Sequence, residues 1–399
     1  MNAVAPAHPA SADVVIVGGG IVGSATAYFL THDPAFAGRV VVVERDATYS
    51  RASTPRSAGS IRQQFSTPEN IRMSQFGMAF LRDLDRHLGV DGDPVDVGFR
   101  ENGYLFLATA EGVPVLEANH AVQRACDAAV ELLDPAQLAA KFPWLATGGI
   151  AAGSLGTANE GWFDPHTLLM AFRRKARAQG AVYVEDEVVA IERRGAAIAA
   201  VALASGGRIA CGTMVCAAGP NAGRVAALAG VDLPVAHRKR YVYVFDCKDR
   251  FPKMPLVICP NGVWVRPEGA GYVCGTSPAE ADDPDCEDLE LDYAMFEEVI
   301  WPTIAERVPA FEAIRLSNAW AGHYDYNTVD HNGIIGRHPE VTNLVFANGF
   351  SGHGLQQAPA TGRAVSELIL NGRFTTLDLS RFAYTRFAEG RLVHELNVV

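Results

Sequence analysis

Asp13-Val14-Val15-Ile16-Val17-Gly18-Gly19-Gly20-Ile21-Val22-Gly23 is the stretch whose reading decides the fold. Its first residues are an apolar, β-branched run, and Ser24-Ala25-Thr26-Ala27 opens a helical pattern that reaches Leu30. Between them Gly18, Gly20 and Gly23 fit G-x-G-x-x-G. Gly18 permits the tight turn, Gly20 lets backbone approach a pyrophosphate, and Gly23 lets the helix pack closely. The N–H groups of Ile21 and Val22 open the helix, whose N-terminus favours an anion. Arg39 to Val43 forms a second apolar strand that stops at Glu44. That acid lies about twenty residues beyond the turn, where it can accept a ribose hydroxyl. Strand, turn, helix and acid in register predict a dinucleotide site, and by themselves leave NAD and FAD open.

Working outward, 399 residues predict two interlocked domains or one large α/β unit. A composition of 49% hydrophobic and 20% charged residues is that of an ordinary globular protein. The formal net charge of -11 excludes a nucleic-acid partner, which needs an excess of Lys and Arg. The seven cysteines form no C-x-x-C pair and no zinc-spaced cluster, so we expect reduced core thiols and no metal. No apolar run approaches the ~20 residues of a membrane span. Met1 to Ala12 lack a basic segment followed by an apolar one, which predicts a loose tail and a cytoplasmic location.

Further along, Pro68 to Leu88 reads as one amphipathic helix, Phe99 to Ala108 as a strand pair and Val113 to Leu133 as a helix. Asp164 reads as the N-cap of a helix from Pro165 to Ala178. Four strands follow, at Ala181 to Val184, Val188 to Arg193, Val201 to Leu203 and Thr213 to Ala217, and extend the first sheet. From Leu233 to Ala321 strands dominate (Tyr241 to Phe245, Val263 to Arg266, Tyr272 to Cys274), with one long helix from Asp288 to Ile304. Val341 to Ala347, a glycine turn and a helix from Pro359 to Leu370 close the chain.

Two later segments favour FAD. Val215-Cys216-Ala217-Ala218-Gly219-Pro220 is a strand entering a small-residue turn, suited to contact with a cofactor held at the first turn. Asn348-Gly349-Phe350-Ser351-Gly352-His353-Gly354-Leu355-Gln356-Gln357 is a glycine-rich loop ahead of a helix, able to stabilise negative charge on a reduced flavin. Together with Gly18 to Gly23 and Glu44, these segments resemble the sarcosine oxidase and D-amino acid oxidase superfamily over nearly the whole chain.

The resemblance implies an α/β fold: a Rossmann-type FAD-binding domain interleaved with a mixed-β-sheet substrate domain. We place the FAD domain at 12–90, 150–232 and 325–375, the substrate domain at 91–149 and 233–324, and a C-terminal tail at 376–399. Beyond the fingerprint, the implied flavin contacts are Arg45, Ser53, Thr54, Ser57, Ala58, Gly59, Val188, Ala217, Ala218, Gly219, Gly352, His353, Gly354, Leu355 and Gln356. Arg62 matches the family's carboxylate-binding arginine, a role its planar fork suits. A lysine that shares this task falls at Gln356, and Arg266 is the candidate to replace its charge. Tyr243, Trp264 and Tyr324 are candidate walls for a cationic amine. His323 and His353 are the nearest proton acceptors.

Departures from the family pattern carry expectations of their own. The positions of covalent flavin attachment in relatives fall at Gly322 and Arg56, so FAD is expected to be non-covalent. The lysine associated with oxygen reduction aligns with Val273, and no lysine lies between Gly262 and Val399. This favours a dehydrogenase delivering electrons to a quinone or carrier over a peroxide-producing oxidase. The implied reaction moves a hydride from the carbon beside nitrogen of a small secondary or N-methyl amine or amino acid to flavin N5, and the imine hydrolyses. Arg240 to Val244, Trp320 to Thr328 and Gly349 to Ala358 most resemble a mitochondrial branch linked to respiratory complex assembly. That implies an alternative role as a flavin-holding assembly factor with a respiratory-chain partner. Lacking an Arg-rich transit peptide, the chain is expected to be a bacterial member.

Overall fold

In the computed structural model, which describes residues 8–396, the opening stretch forms strand Ser11–Val17 and helix Ile21–His32. The strand pairs in parallel with Val40–Glu44 on one side and Arg208–Cys216 on the other. Val40, Val41, Val42 and Val43 are all buried, as expected for a parallel strand covered on both faces. The sheet runs Ile334–Arg337, Leu344–Asn348, Arg208–Cys216, Ser11–Val17, Val40–Glu44, Val182–Glu185, with Ala197–Leu203 and Val188–Arg194 as an antiparallel arm. On one face lie helices Ile21–His32, Pro165–Ala178 and Gly354–Asn371. The first and last cross so closely that a Cβ on Gly362 would lie 2.6 Å from the backbone of Ala25.

A second, mixed sheet runs Ile314–Asn327, Val235–Cys247, Gly271–Gly275, Trp264–Glu268, Leu256–Ile258, Tyr104–Ala108, Ala152–Gly156, Val130–Leu133. All its pairings are antiparallel except Leu256–Ile258 with Tyr104–Ala108. Ala152–Gly156 lies in a stretch that the sequence assigned to the FAD domain, yet it pairs within this second sheet. A short ladder, Ser60–Ile61 with Gly161–Trp162, ties the connections between the two sheets.

Several elements differ from the sequence expectation. Pro68 to Leu88 is two helices, Pro68–Leu81 and Leu84–Leu88, because Asp83 leaves helical geometry (φ -130°, ψ 39°). Val113–Ala125 ends before Asp127, which adopts φ 60°, and the chain then becomes strand Val130–Leu133. Phe99 to Ala108 supplies one strand, Tyr104–Ala108, preceded by a turn at Gly103 (φ 80°). The helix expected from Asp288 starts late: Asp292 Oδ1 accepts from Ala294 N at 2.9 Å, and Met295–Ile300 is π-helical before Trp301–Arg307. The last long helix begins at Gly354 and not at Pro359. Proline favours first turns, but here it sits inside the helix and the earlier glycine loop supplies the start.

The tail expected over Met1 to Ala12 lies outside the described residues up to residue 7, and Ser11 and Ala12 already belong to the first strand. Near the other end, Val393 and Glu395 are buried against the molecule. Among the described residues no helix is long and apolar enough to cross a membrane.

Candidate active site

A continuous cavity of about 660 Å³ runs from the first glycine turn, between the two sheets, to the N-terminus of helix Gly354–Asn371. At one end Gly18 has φ 100°, and a Cβ there would lie 2.3 Å from the Ala217 carbonyl oxygen. Only glycine serves at that position. Gly23 does not line the cavity: a Cβ there would meet Gly18 O at 1.9 Å, so its work is packing helix onto turn. The Glu44 carboxylate accepts from Gly19 N at 2.7 Å and from Asp46 N at 3.0 Å, which fixes it at the cavity wall. Thr54 Oγ1 accepts from Ile21 N at 3.2 Å, joining the helix N-terminus to the loop beside it.

The far end is built around Arg62, 3% exposed. Its backbone N–H donates to Gln356 Oε1 at 2.9 Å, which also accepts from the Ser74 hydroxyl at 3.0 Å. Its guanidinium stacks 4.1 Å from the centre of the Phe65 ring and donates to Gln64 O. Nη2 lies 3.2 Å from His353 Nε2; a guanidinium can only donate, so that imidazole nitrogen accepts. Burial is the largest influence on Arg62 and pulls its pKa down, opposed by Tyr104, Glu395 and Glu160. Burial pushes the Tyr104 phenol up to about 12.

His353 caps the final helix, and the loop before it holds Gly349 (φ 73°), Ser351 (φ 50°) and Gly352 (φ 97°). A side chain at Gly352 would strike the Tyr324 ring at 2.5 Å. Asp325 fastens this loop, its carboxylate accepting from Phe350 N at 3.1 Å and its carbonyl from Ser351 N at 3.0 Å. Asp325 lines the cavity half-buried, and desolvation there pushes its pKa up to about 6 against the backbone donors around it.

Of the residues singled out from sequence, Gly18, Gly20, Ile21, Val22, Glu44, Arg45, Ser53, Thr54, Ser57, Ala58, Val188, Ala217, Ala218 and Gly219 line this cavity. So do Arg62, Trp264, His323, Tyr324, Gly352, His353, Gly354, Leu355 and Gln356. Gly59 does not; at φ 75° it packs against Phe163 O. Two expectations are corrected. Tyr243 lies beyond the cavity: it is fully buried, its hydroxyl donates to Asp292 O, and its ring packs 5.2 Å from Phe296. Arg266 offers no free charge, since it binds Glu268 and donates to Ala58 O at 2.6 Å and Pro267 O at 3.0 Å, with Trp162 at 4.9 Å. Its contribution is to hold Ala58 at the wall. His323 reaches the cavity edge, but its Nε2 lies 2.9 Å from Asp288 O.

Sequence reasoning missed Tyr104, Leu256 and Ile258, which form an apolar wall with Trp264, and it missed Tyr241, Arg240 and Asp325, which also line the cavity. Arg240 pairs with both oxygens of Asp283 at 2.9 and 2.7 Å and lies 5.1 Å from the Tyr324 ring. Asp325 stands inside the stretch that carried the family likeness and had a usable signal: an acid among aromatic strand residues. The wall residues had none, because alternating apolar positions read as ordinary sheet core.

A glycine cradle that a Cβ would fill, a fixed acid and a long cavity ending at a helix N-terminus fit an FAD nucleotide. The chain belongs to the FAD dependent oxidoreductase (DAO) family, whose model matches residues 13–368. It is 48% identical to FAD-dependent oxidoreductase domain-containing protein 1 of Xenopus laevis, over 98% of this chain and 85% of that protein. Among solved structures it is similar to L-proline dehydrogenase from P. horikoshii, with 28% identity, TM-score 0.86, and coverage of 97% of this chain and 100% of that one. It is also similar to glycine oxidase from Geobacillus kaustophilus, with 25% identity, TM-score 0.80, and coverage of 94% and 99%. The protein is thus an FAD-dependent oxidoreductase with the mixed α/β fold of those enzymes. Relatives from Xenopus laevis and Drosophila melanogaster, at 48% and 38% identity, give the expected bacterial origin no support.

Proposed function

We propose that this flavoprotein oxidises the C–N bond of a small secondary or N-methyl amine that carries a carboxylate, an amino acid in the simplest case. The observation that carries this reading is Arg62, a buried guanidinium at the flavin end of a cavity otherwise walled by Tyr104, Leu256, Ile258 and Trp264. A cation in that setting selects an anion, and the apolar wall receives the carbon skeleton. The names of the similar enzymes, L-proline dehydrogenase and glycine oxidase, are compatible with it.

Gly18 to Val22, Glu44 and Ala217 to Gly219 would hold the nucleotide, and Gly352 to Gln356 would meet the isoalloxazine. Bound FAD supplies the hydride acceptor, N5. The chain's own work is to orient the substrate. Arg62 grips the carboxylate, the apolar wall excludes water, and the free N–H groups at the start of helix Gly354–Asn371 favour negative charge nearby. His353 Nε2 is engaged by Arg62, so the amine is best received in its neutral form. With Gly322 and Arg56 at the attachment positions, FAD is held without a covalent bond. No lysine is among the described residues lining the cavity, which favours transfer to a quinone or carrier protein over O₂. We place the unit boundaries as the sequence did, with 150–156 moved to the substrate unit.

The test is an anaerobic spectral screen of the yellow protein. Carboxylated secondary amines should bleach the visible flavin band, whereas their decarboxylated counterparts should not at equal concentration. Bleaching by both alike, or by neither, contradicts the reading.

A further inference from the structure

We propose that Glu160 is the positioning residue that sets both the aim and the effective charge of the Arg62 guanidinium toward a substrate carboxylate. The proposal rests on the function proposed above.

Glu160 lies in the connection between strand Ala152–Gly156 and the short ladder strand Gly161–Trp162, with no accessible surface. Its Oε1 accepts from Gln63 N at 2.7 Å and its Oε2 from Gln64 Nε2 at 2.9 Å. Gln64 donates also to Tyr104 O at 3.2 Å, and its Oε1 accepts from the Ser154 hydroxyl at 2.7 Å. The Gln64 carbonyl in turn receives Nη1 of Arg62. One carboxylate therefore fixes the two residues that follow Arg62, and through them the direction of the guanidinium.

The fold makes room for this group. A Cβ on Gly156 would lie 1.8 Å from Glu160 Oε2. Burying a carboxylate is costly unless charge and hydrogen bonds compensate, so its presence beside Arg62 calls for a use. Burial is the largest influence and pushes the Glu160 pKa up to about 7, against the hydrogen bonds from Gln64 and Gln63 and the charge of Arg62. The other titratable groups around the pair are Tyr104, Tyr324, Glu395 and His353, with Arg266 acting on Tyr104, and Asp325 faces the same cavity.

The chemistry follows from charge balance. With Glu160 protonated, Arg62 presents more of its positive charge to an incoming carboxylate, Glu395 acting on it in both states; with Glu160 ionised, that charge is offset further. An arriving anion raises the proton affinity of Glu160, so binding takes up protons.

The experiment uses the FAD-loaded protein and two inert probes, acetate and benzoate. Their dissociation constants are read from the flavin spectrum from about pH 5 to 9, bracketing the ordinary range of a perturbed carboxyl. Wild type should bind about tenfold more weakly above the Glu160 transition than below it, the order of effect expected of one added charge in a buried site. Glu160→Gln should abolish that step and bind tightly at high pH. Glu160→Asp should keep the step but weaken binding throughout. Calorimetry of wild type in buffers of different ionisation heat should detect net proton uptake near neutrality, whether or not the variants load FAD. The same pH step in Glu160→Gln, or no proton uptake by wild type, overturns the proposal. Arg62→Ala separates the two claims: probe binding unchanged by it removes the carboxylate reading itself. Binding lost in Arg62→Ala, with Glu160→Gln indistinguishable from wild type, removes Glu160 alone.

Discussion

Replacing Arg62 with alanine should weaken the binding of carboxylated amines far more than it slows their oxidation. The side chain is 3% exposed and flanked by Phe65 at 4.1 Å, so water competes poorly for a carboxylate bound there. Removing one partner of a desolvated, charge-assisted pair costs about 2–5 kcal/mol. Taking about 3 kcal/mol, the apparent dissociation constant of a carboxylated secondary amine such as proline should rise roughly a hundredfold. Arg62→Lys keeps the charge but not the planar fork that spans Gln64 O and His353 Nε2, so it should fall between, near tenfold. The assay is the anaerobic reductive half-reaction, which separates binding from the limiting rate of flavin reduction. That limiting rate should change much less than the binding constant, and pyrrolidine, which lacks the carboxylate, should be handled alike by wild type and variant. Equal losses for proline and pyrrolidine, with FAD content and melting temperature intact, would refute the reasoning.

Three further outcomes follow from the geometry. Tyr243→Phe removes one buried hydrogen bond to Asp292 O, so thermal unfolding should register a loss of about 1–2 kcal/mol while steady-state kinetics stay unchanged. Gly18→Ala puts a Cβ against Ala217 O at a φ of 100°, and the purified protein should lose most of its FAD by absorbance ratio. Asp325, whose pKa is raised from 3.8 to about 6, adds stability that is complete below its unfolded pKa and lost as pH rises through about 6. Asp325→Asn should therefore melt higher than wild type at pH 8, by at most about 3 kcal/mol, with the gap closing toward pH 4; a gap of constant size would contradict this.

The nucleotide end of the cavity was legible in the sequence because its rules are local. Gly18, Gly20, Gly23 and Glu44 act within one βαβ unit, where spacing determines geometry. Arg62 could be singled out only through family likeness, since nothing in Ser60 to Gln64 reveals that it will meet His353 nearly three hundred residues on. Glu160 was invisible for the same reason, its partners lying about a hundred residues away in a polar loop. Tyr243 and Arg266 misled because a strand pattern does not say where a cavity stops. Tyr241 reaches the cavity, whereas Tyr243 lies under Phe296 and Asp292. The helix expected at Pro359 begins at Gly354 because three residues with positive φ just before it turn the chain early.

The most direct test of the account is anaerobic titration of the FAD-loaded protein with carboxylated secondary and N-methyl amines. At least one of them should bleach the flavin stoichiometrically, yield its imine-derived product and become ineffective in Arg62→Ala. A flavin that stays oxidised with every such amine, or one reduced equally well without Arg62, would contradict the account.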